Sequence, residues 1–198
     1  VAGFILSNGA LSGDGTEKEI RKKLIENNLV EAIIILPRNM FYTTDISVTL
    51  WILNKNKKAH SVPHEDVTRN YRDREDEILF MDLRQRGEPF EKKYKQFSEQ
   101  DINDFAGTLH TWQQVGADEQ YQNIAEYCYS ATKEEISAKD YSLVPSKYIE
   151  FINRDENINF DDKMNNLKGE FFELLAQEKT SKKELLNVFK ELGYEIEL

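Results

Sequence analysis

The sequence is short of cysteine, of histidine and of long apolar runs. A lone Cys128 excludes an intrachain disulfide and fits a reducing compartment. It lies in Glu-Tyr-Cys-Tyr-Ser with no cation beside it, so a buried structural thiol is expected there rather than a nucleophile. The longest apolar run, Ala32 to Pro37, is strand-sized and far below the ~18–20 residues of a membrane helix. With no basic–apolar signal sequence at the start, a cytoplasmic protein without a membrane partner is expected. Of the three histidines, His60 and His64 are four apart, but Pro63 lies between them and no Cys or third His is near. No metal site is expected. Gly13-Asp14-Gly15-Thr16 lacks the Gly-Lys-Ser/Thr ending of a phosphate loop, and no Ser-His-Asp or Cys-His set stands at a familiar spacing.

Positive charge is also scarce, and unevenly so. The net charge is -10. Residues 1–58 hold eight Lys/Arg against six Asp/Glu, while residues 59–198 hold eighteen against thirty. A dedicated DNA-wrapping protein is excluded, because phosphate binding needs cations. Any nucleic-acid contact is expected in the first segment, and a solvated or protein-binding role in the acidic remainder. The chain opens without Met in an apolar run, Val-Ala-Gly-Phe-Ile-Leu-Ser, which predicts a piece of a longer protein.

What is present reads as α/β. Buried strands are expected over 2–7, 30–36, 46–53 and 77–83. Thr16-x-x-Glu19 reads as a capping box opening a helix that ends near Asn28. The polar stretch 54–77, with Pro63, reads as a surface insertion. After Gly87 the pattern turns helical. Ser98 to Asp101 caps a helix carrying Ile102, Phe105, Leu109 and Trp112, and a short helix is expected near Gln120–Tyr127. Thr132-x-x-Glu135 caps another. The tail reads as a helical hairpin over 161–192, with Met164, Leu167, Phe171 and Leu174 on the first arm. Ser181-x-x-Glu184 opens the second arm, with Leu185, Phe189 and Leu192, and Gly193 ends it. Three domains follow from this: an α/β part at 1–90, a helical extension at 91–160 and a helical hairpin at 161–198.

The segment Leu36-Pro37-Arg38-Asn39-Met40-Phe41-Tyr42-Thr43-Thr44-Asp45-Ile46 is the one that points to chemistry. Two adjacent aromatics sit in a polar loop at the carboxyl end of a buried strand, the edge at which open α/β sheets bind ligands. Phe41 and Tyr42 either tuck beneath the loop or expose a ring able to stack on a nucleobase, at about 1–3 kcal/mol per base.

Several stretches together resemble the last motifs of gamma-class adenine-N6 methyltransferases, most closely the modification (M) subunit of type I restriction–modification systems. They are Ala2-Gly-Phe-Ile-Leu-Ser-Asn-Gly-Ala-Leu-Ser, Leu36-Pro-x-x-x-Phe-Tyr-Thr-Thr-x-Ile-x-Val-x-Leu-Trp-Ile-Leu-Asn-Lys, Ile78-Leu-Phe-Met-Asp-Leu-Arg, Phe97-Ser-Glu-Gln-Asp-Ile and Asp140-Tyr-Ser-Leu-Val-Pro-Ser-Lys-Tyr-Ile. The resemblance implies the C-terminal portion of an S-adenosylmethionine-dependent methyltransferase sheet, with 46–53 running antiparallel between two other strands, followed by a mostly helical region. It implies methyl transfer from S-adenosylmethionine to N6 of a flipped-out adenine in DNA, with an aromatic at Phe41, or Tyr42 beside it, stacking on that base. Implied partners are DNA, a specificity subunit, a second M subunit and a restriction subunit. The glycine-rich cofactor motif and the Asn-Pro-Pro-Phe/Tyr catalytic motif are absent from this chain, and Asn8 in Ser-Asn-Gly is no substitute. No catalytic residue, cofactor site or activity is therefore expected in this chain alone. A fused methylation–recognition enzyme and a non-catalytic interaction module are the alternatives.

Overall fold

A computed structural model describes residues 1–64, 67–115, 120–152 and 159–193. The chain divides into two units, 1–152 and 153–198.

The first unit is built on a five-stranded sheet of order β1-β3-β2-β6-β9. Its strands are β1 (Ala2–Ser7), β2 (Val30–Ile35), β3 (Val48–Leu53), β6 (Glu77–Asp82) and β9 (Cys128–Thr132). Strand β3 is antiparallel to both β1 and β2, while β2 and β6 are parallel. The antiparallel strand thus lies between two others, as the resemblance implies. Every residue of β2 is buried, which is why its sequence is a continuous apolar run rather than an alternating one. Helix α1 (Thr16–Glu26) and α3 (Lys133–Ala138) cover one face, through Leu24, Ile25 and Ile136 against Ile33, Trp51 and Phe80. Helix α2 (Glu99–Gln113) covers the other, through Phe105, Leu109 and Trp112 against Ala32, Ile34, Leu79 and Met81.

The structure departs from the expectations in particular places. Residues 2–7 read as a buried strand that forms a raw edge in this chain alone; β1 is the outer strand of the described sheet, and the departure lies in its burial. Its residues are almost all exposed, with Ile5 at 47%. Thr16 is not a cap: Gly15, at φ 64°, is the N-cap residue and makes no side-chain bond. The Ser98 and Thr132 capping boxes are both formed.

The polar stretch 54–77 does more than decorate the surface. It carries an antiparallel strand pair, β4 (His60–His64) and β5 (Val67–Tyr71), and it buries two cations. Arg74, 1% exposed, donates through Nε to Glu31 Oε1 at 2.9 Å, and Gln113 donates to the same oxygen. Lys57 donates to the carbonyls of Val30 and Glu77. Sequence composition hides this because each cation is satisfied by groups distant in the chain.

No boundary falls at residue 90. Beyond it a small hairpin, β7 (Glu88–Phe90) and β8 (Tyr94–Gln96), precedes α2, and β9 then joins the main sheet antiparallel to β6. The helix expected near Gln120–Tyr127 is absent. That segment leads into β9 through turns, with Ile124 bridged to Cys128.

Among its described residues the second unit, by itself, is one helix, α4 (Phe160–Glu191), and not a hairpin. Between Leu174 and Glu184 the chain has no strong helix breaker: Leu-Ala-Gln-Glu-Lys-Thr-Ser-Lys-Lys has neither Gly nor Pro. The hydroxyl of Thr180 bonds back to the Ala176 carbonyl inside the helix, so the Thr-Ser pair is absorbed rather than used as a cap. Asn159 caps the start, and Gly193, at φ 81°, follows the end. The last part of the expected tail domain, 194–198, lies outside the described residues.

Candidate functional site

Strands β1, β2 and β6 run the same way, so the segments following all three open on one edge of the sheet. The aromatic loop 37–45 follows β2. Its frame is fixed by backbone and polar contacts. Ser47 Oγ donates to the Leu36 carbonyl at 2.5 Å, and Arg38 Nε donates to the Asp45 carbonyl at 3.1 Å. Asn39 adopts φ 62°, and Phe41 bridges Thr44 across a tight turn.

The two aromatics are placed differently. Phe41 is half-buried and packs against the core cluster beneath α2. Tyr42 is 69% exposed, its ring edge-on to Tyr94 with centroids 4.7 Å apart. One ring therefore tucks under and the other projects. Tyr94 belongs to the β7–β8 hairpin, which emerges from the neighbouring strand β6, and Lys95 N donates to the Asn39 carbonyl at 2.9 Å. Sequence reading overlooked this partner loop. The available signal was a Tyr flanked by lysines shortly after Gly87, downstream of a second parallel strand. At β1, Asn8 Oδ1 accepts a hydrogen bond from Thr49 at 2.6 Å, which occupies that amide in structural work.

The remaining candidates have structural roles. Cys128 is buried, and burial raises its thiol above the ordinary range, the opposite of an activated nucleophile. His60 lies on a strand and stacks on Tyr71 at 4.8 Å. Across β4, four residues span roughly 13 Å, so the His60–His64 spacing is not that of a helical metal pair. The Gly13–Gly15 loop is tied down by Arg21, which donates to the carbonyls of Ala10, Gly13 and Tyr141.

A shallow recess with no enclosed room even for a water molecule lies at the opposite end of the sheet, lined by Ile25, Lys57, Glu77 and Lys133 among others. Small-molecule sites enclose ~300–1,000 Å³; this recess encloses essentially none and offers charged side chains rather than glycine-rich backbone. The recess does not fit S-adenosylmethionine. Its chemistry is that of a buried cation. Burial lowers Lys57 to about 8. Burial alone would raise Glu77, but hydrogen bonds from Arg72 and Ser130 outweigh it and hold the carboxyl below its ordinary range.

A covered α/β sheet with one antiparallel strand between parallel neighbours, and its loops gathered at one edge, is the fold class implied for the closing part of a methyltransferase. The chain belongs to the N-6 DNA Methylase family, whose model matches residues 1–157. It is 35% identical over 194 residues to the type I restriction enzyme HindI methylase subunit of Haemophilus influenzae, covering 97% of this chain and 40% of that protein. It is 28% identical over 193 residues to the MjaIX methylase subunit of Methanocaldococcus jannaschii, covering 98% of this chain and 32% of that protein. A solved type I restriction–modification methyltransferase subunit from Streptococcus thermophilus shares the fold, with a TM-score of 0.59 at 23% identity over 75% of this chain and 26% of that one. The chain thus spans two fifths or less of these relatives.

Proposed function

We propose that this chain forms one wall of the adenine pocket in a type I modification subunit, which transfers a methyl group from S-adenosylmethionine to N6 of adenine in DNA. The supporting observation is the aromatic loop at the carboxyl edge of the sheet, with Tyr42 projecting and Phe41 at its root. A base flipped from the duplex needs an apolar face to replace its lost stacking. The cofactor cradle and the groups that hold the adenine amino group lie on other parts of the protein, so the chain alone is inert. Helix α4 meets the specificity subunit, which sets the target sequence. A second M subunit and a restriction subunit complete the assembly.

Phe41 is the stacking residue implied by the resemblance, while exposure favours Tyr42. Substitution in the full-length enzyme separates them. Phe41→Ala or Tyr42→Ala should weaken handling of the flipped adenine by about 1–3 kcal/mol, seen in methylation rate and DNA affinity, with cofactor affinity unchanged. If both variants methylate and bind DNA normally, the stacking role is wrong.

A further inference from the structure

The β7–β8 hairpin is placed with unusual care for a short surface element. At its base, Gly87 adopts φ 83°, and a Cβ there would meet the Gln96 carbonyl at 2.9 Å. Gly87 thus permits a close crossing that another residue would obstruct. Phe97, just beyond β8, packs edge-on against Phe105 of α2 at 5.0 Å. The Lys95–Asn39 hydrogen bond and the Tyr42–Tyr94 contact then lock the hairpin to the aromatic loop.

What the hairpin presents is positive charge. Residues 84–96 contain Arg84, Arg86, Lys92, Lys93 and Lys95 against Glu88 and Glu91, in a chain whose net charge is -10. Arg84 is committed to Asp82, and Glu88 accepts a hydrogen bond from Gln96. Lys92 and Lys93 are exposed and form no ion pair among the described residues. Lys93 Nζ lies 5.3 Å from the centre of the Tyr94 ring, the ring that also touches Tyr42. The exposed aromatic and the Lys93 ammonium are therefore held side by side by one tyrosine, with Lys92 next to Lys93 in the chain.

We propose that the β7–β8 hairpin is a DNA-backbone contact, with Lys92 and Lys93 binding the phosphates beside the base that the aromatic loop receives. This rests on the reading of that loop as a base site. Extrusion of a base leaves its flanking phosphates close to the pocket mouth, and cations fixed there would hold the strand in register while carrying no sequence information. The hairpin locates the basic contact after residue 59, in the acidic part of the chain, where bulk charge argues against it.

The test is the salt dependence of binding by the full-length methyltransferase to a fluorescent DNA duplex of arbitrary sequence. Each phosphate contact removed should lower the slope of log affinity against log salt by about 0.9. Lys92→Ala/Lys93→Ala should therefore flatten it by about 2, and Lys92→Glu/Lys93→Glu should weaken binding further. Retained cofactor affinity reports that each variant is folded. Lys55→Ala/Lys58→Ala, at the opposite end of the sheet, should leave the slope unchanged. An unchanged slope in the hairpin variants, or an equal change in the Lys55/Lys58 control, overturns the proposal. Phe41→Ala and Tyr42→Ala release no counterions and should not move the slope. Failure of those variants to affect methylation would sink the base site while leaving the hairpin contact standing.

Discussion

The sheet unit and the terminal helix use apolar residues in opposite ways. In the sheet unit, Ile33, Leu79, Phe80, Met81 and Trp112 are all but removed from water. In α4 no described residue is buried, although Phe171 is 58% and Leu174 62% exposed. The exposed positions Met164, Leu167, Phe171, Leu174, Leu185, Val188 and Leu192 advance by threes and fours, the spacing of a coiled-coil seam, interrupted at Glu178 and Ser181. The same residue types thus hold one unit together and leave the other with an uncovered stripe.

The comparison is sharpest where one substitution can be made in both places. Phe80 is fully buried and stacks on Tyr148 at 4.3 Å. Phe80→Ala removes that contact and leaves a void between α3 and the sheet. It should destabilise the sheet unit by about 3–5 kcal/mol, read as a lowered denaturation midpoint. A loss below ~1 kcal/mol would show that the unit is loosely packed.

This contrast also marks what the sequence disclosed. Continuous apolar runs betray strands such as 30–35, because burial on both faces leaves no polar alternation to confuse them. The insertion of 48–53 between two strands came with the family resemblance, not with any local pattern. Strand β9 was missed because Cys-Tyr-Ser-Ala-Thr is short and mixed, and its place is set by pairing with β6. The tail was misread because Ser181-x-x-Glu184 satisfies a capping pattern wherever it occurs, while helix continuity depends on the absence of a breaker. At the candidate site, the loop and its two aromatics were legible. Their unequal burial and the Tyr94 contact were not, since both depend on a segment some fifty residues downstream.

The sheet unit is not uniformly well served by burial, and pH should reveal where. Burial lowers Lys57 from 10.5 to about 8, so the folded state holds its proton less firmly than the unfolded chain. Below about pH 8 both states are protonated, and the cost of burying the ammonium is fully present. Between about 8 and 10.5 the unfolded chain holds protons that the folded one has released, so stability attributable to Lys57 rises with pH. Over that interval the gain is roughly 3 kcal/mol, at about 1.4 kcal/mol per pH step. The difference in unfolding free energy between the chain and Lys57→Met, followed across the interval, isolates this group. A flat difference would mean that the carbonyls of Val30 and Glu77 compensate the ammonium completely.

In α4 the expected effect on stability is smallest and of opposite sign. Phe171 contacts Phe172 at 6.3 Å but is mostly in water, so Phe171→Ala forfeits little burial. Alanine is the better helix former by up to ~0.7 kcal/mol, so helicity by circular dichroism should hold or rise slightly. The cost should appear elsewhere. If the stripe docks on the helices of the specificity subunit, Phe171→Ala should weaken assembly of the full-length subunit. Deletion of residues 161–198 should abolish it while sparing cofactor binding. Size exclusion distinguishes the outcomes: a normal complex after the deletion rules the docking role out. A normal complex with Phe171→Ala alone would move the contact to the Leu185, Val188 and Leu192 end of the seam.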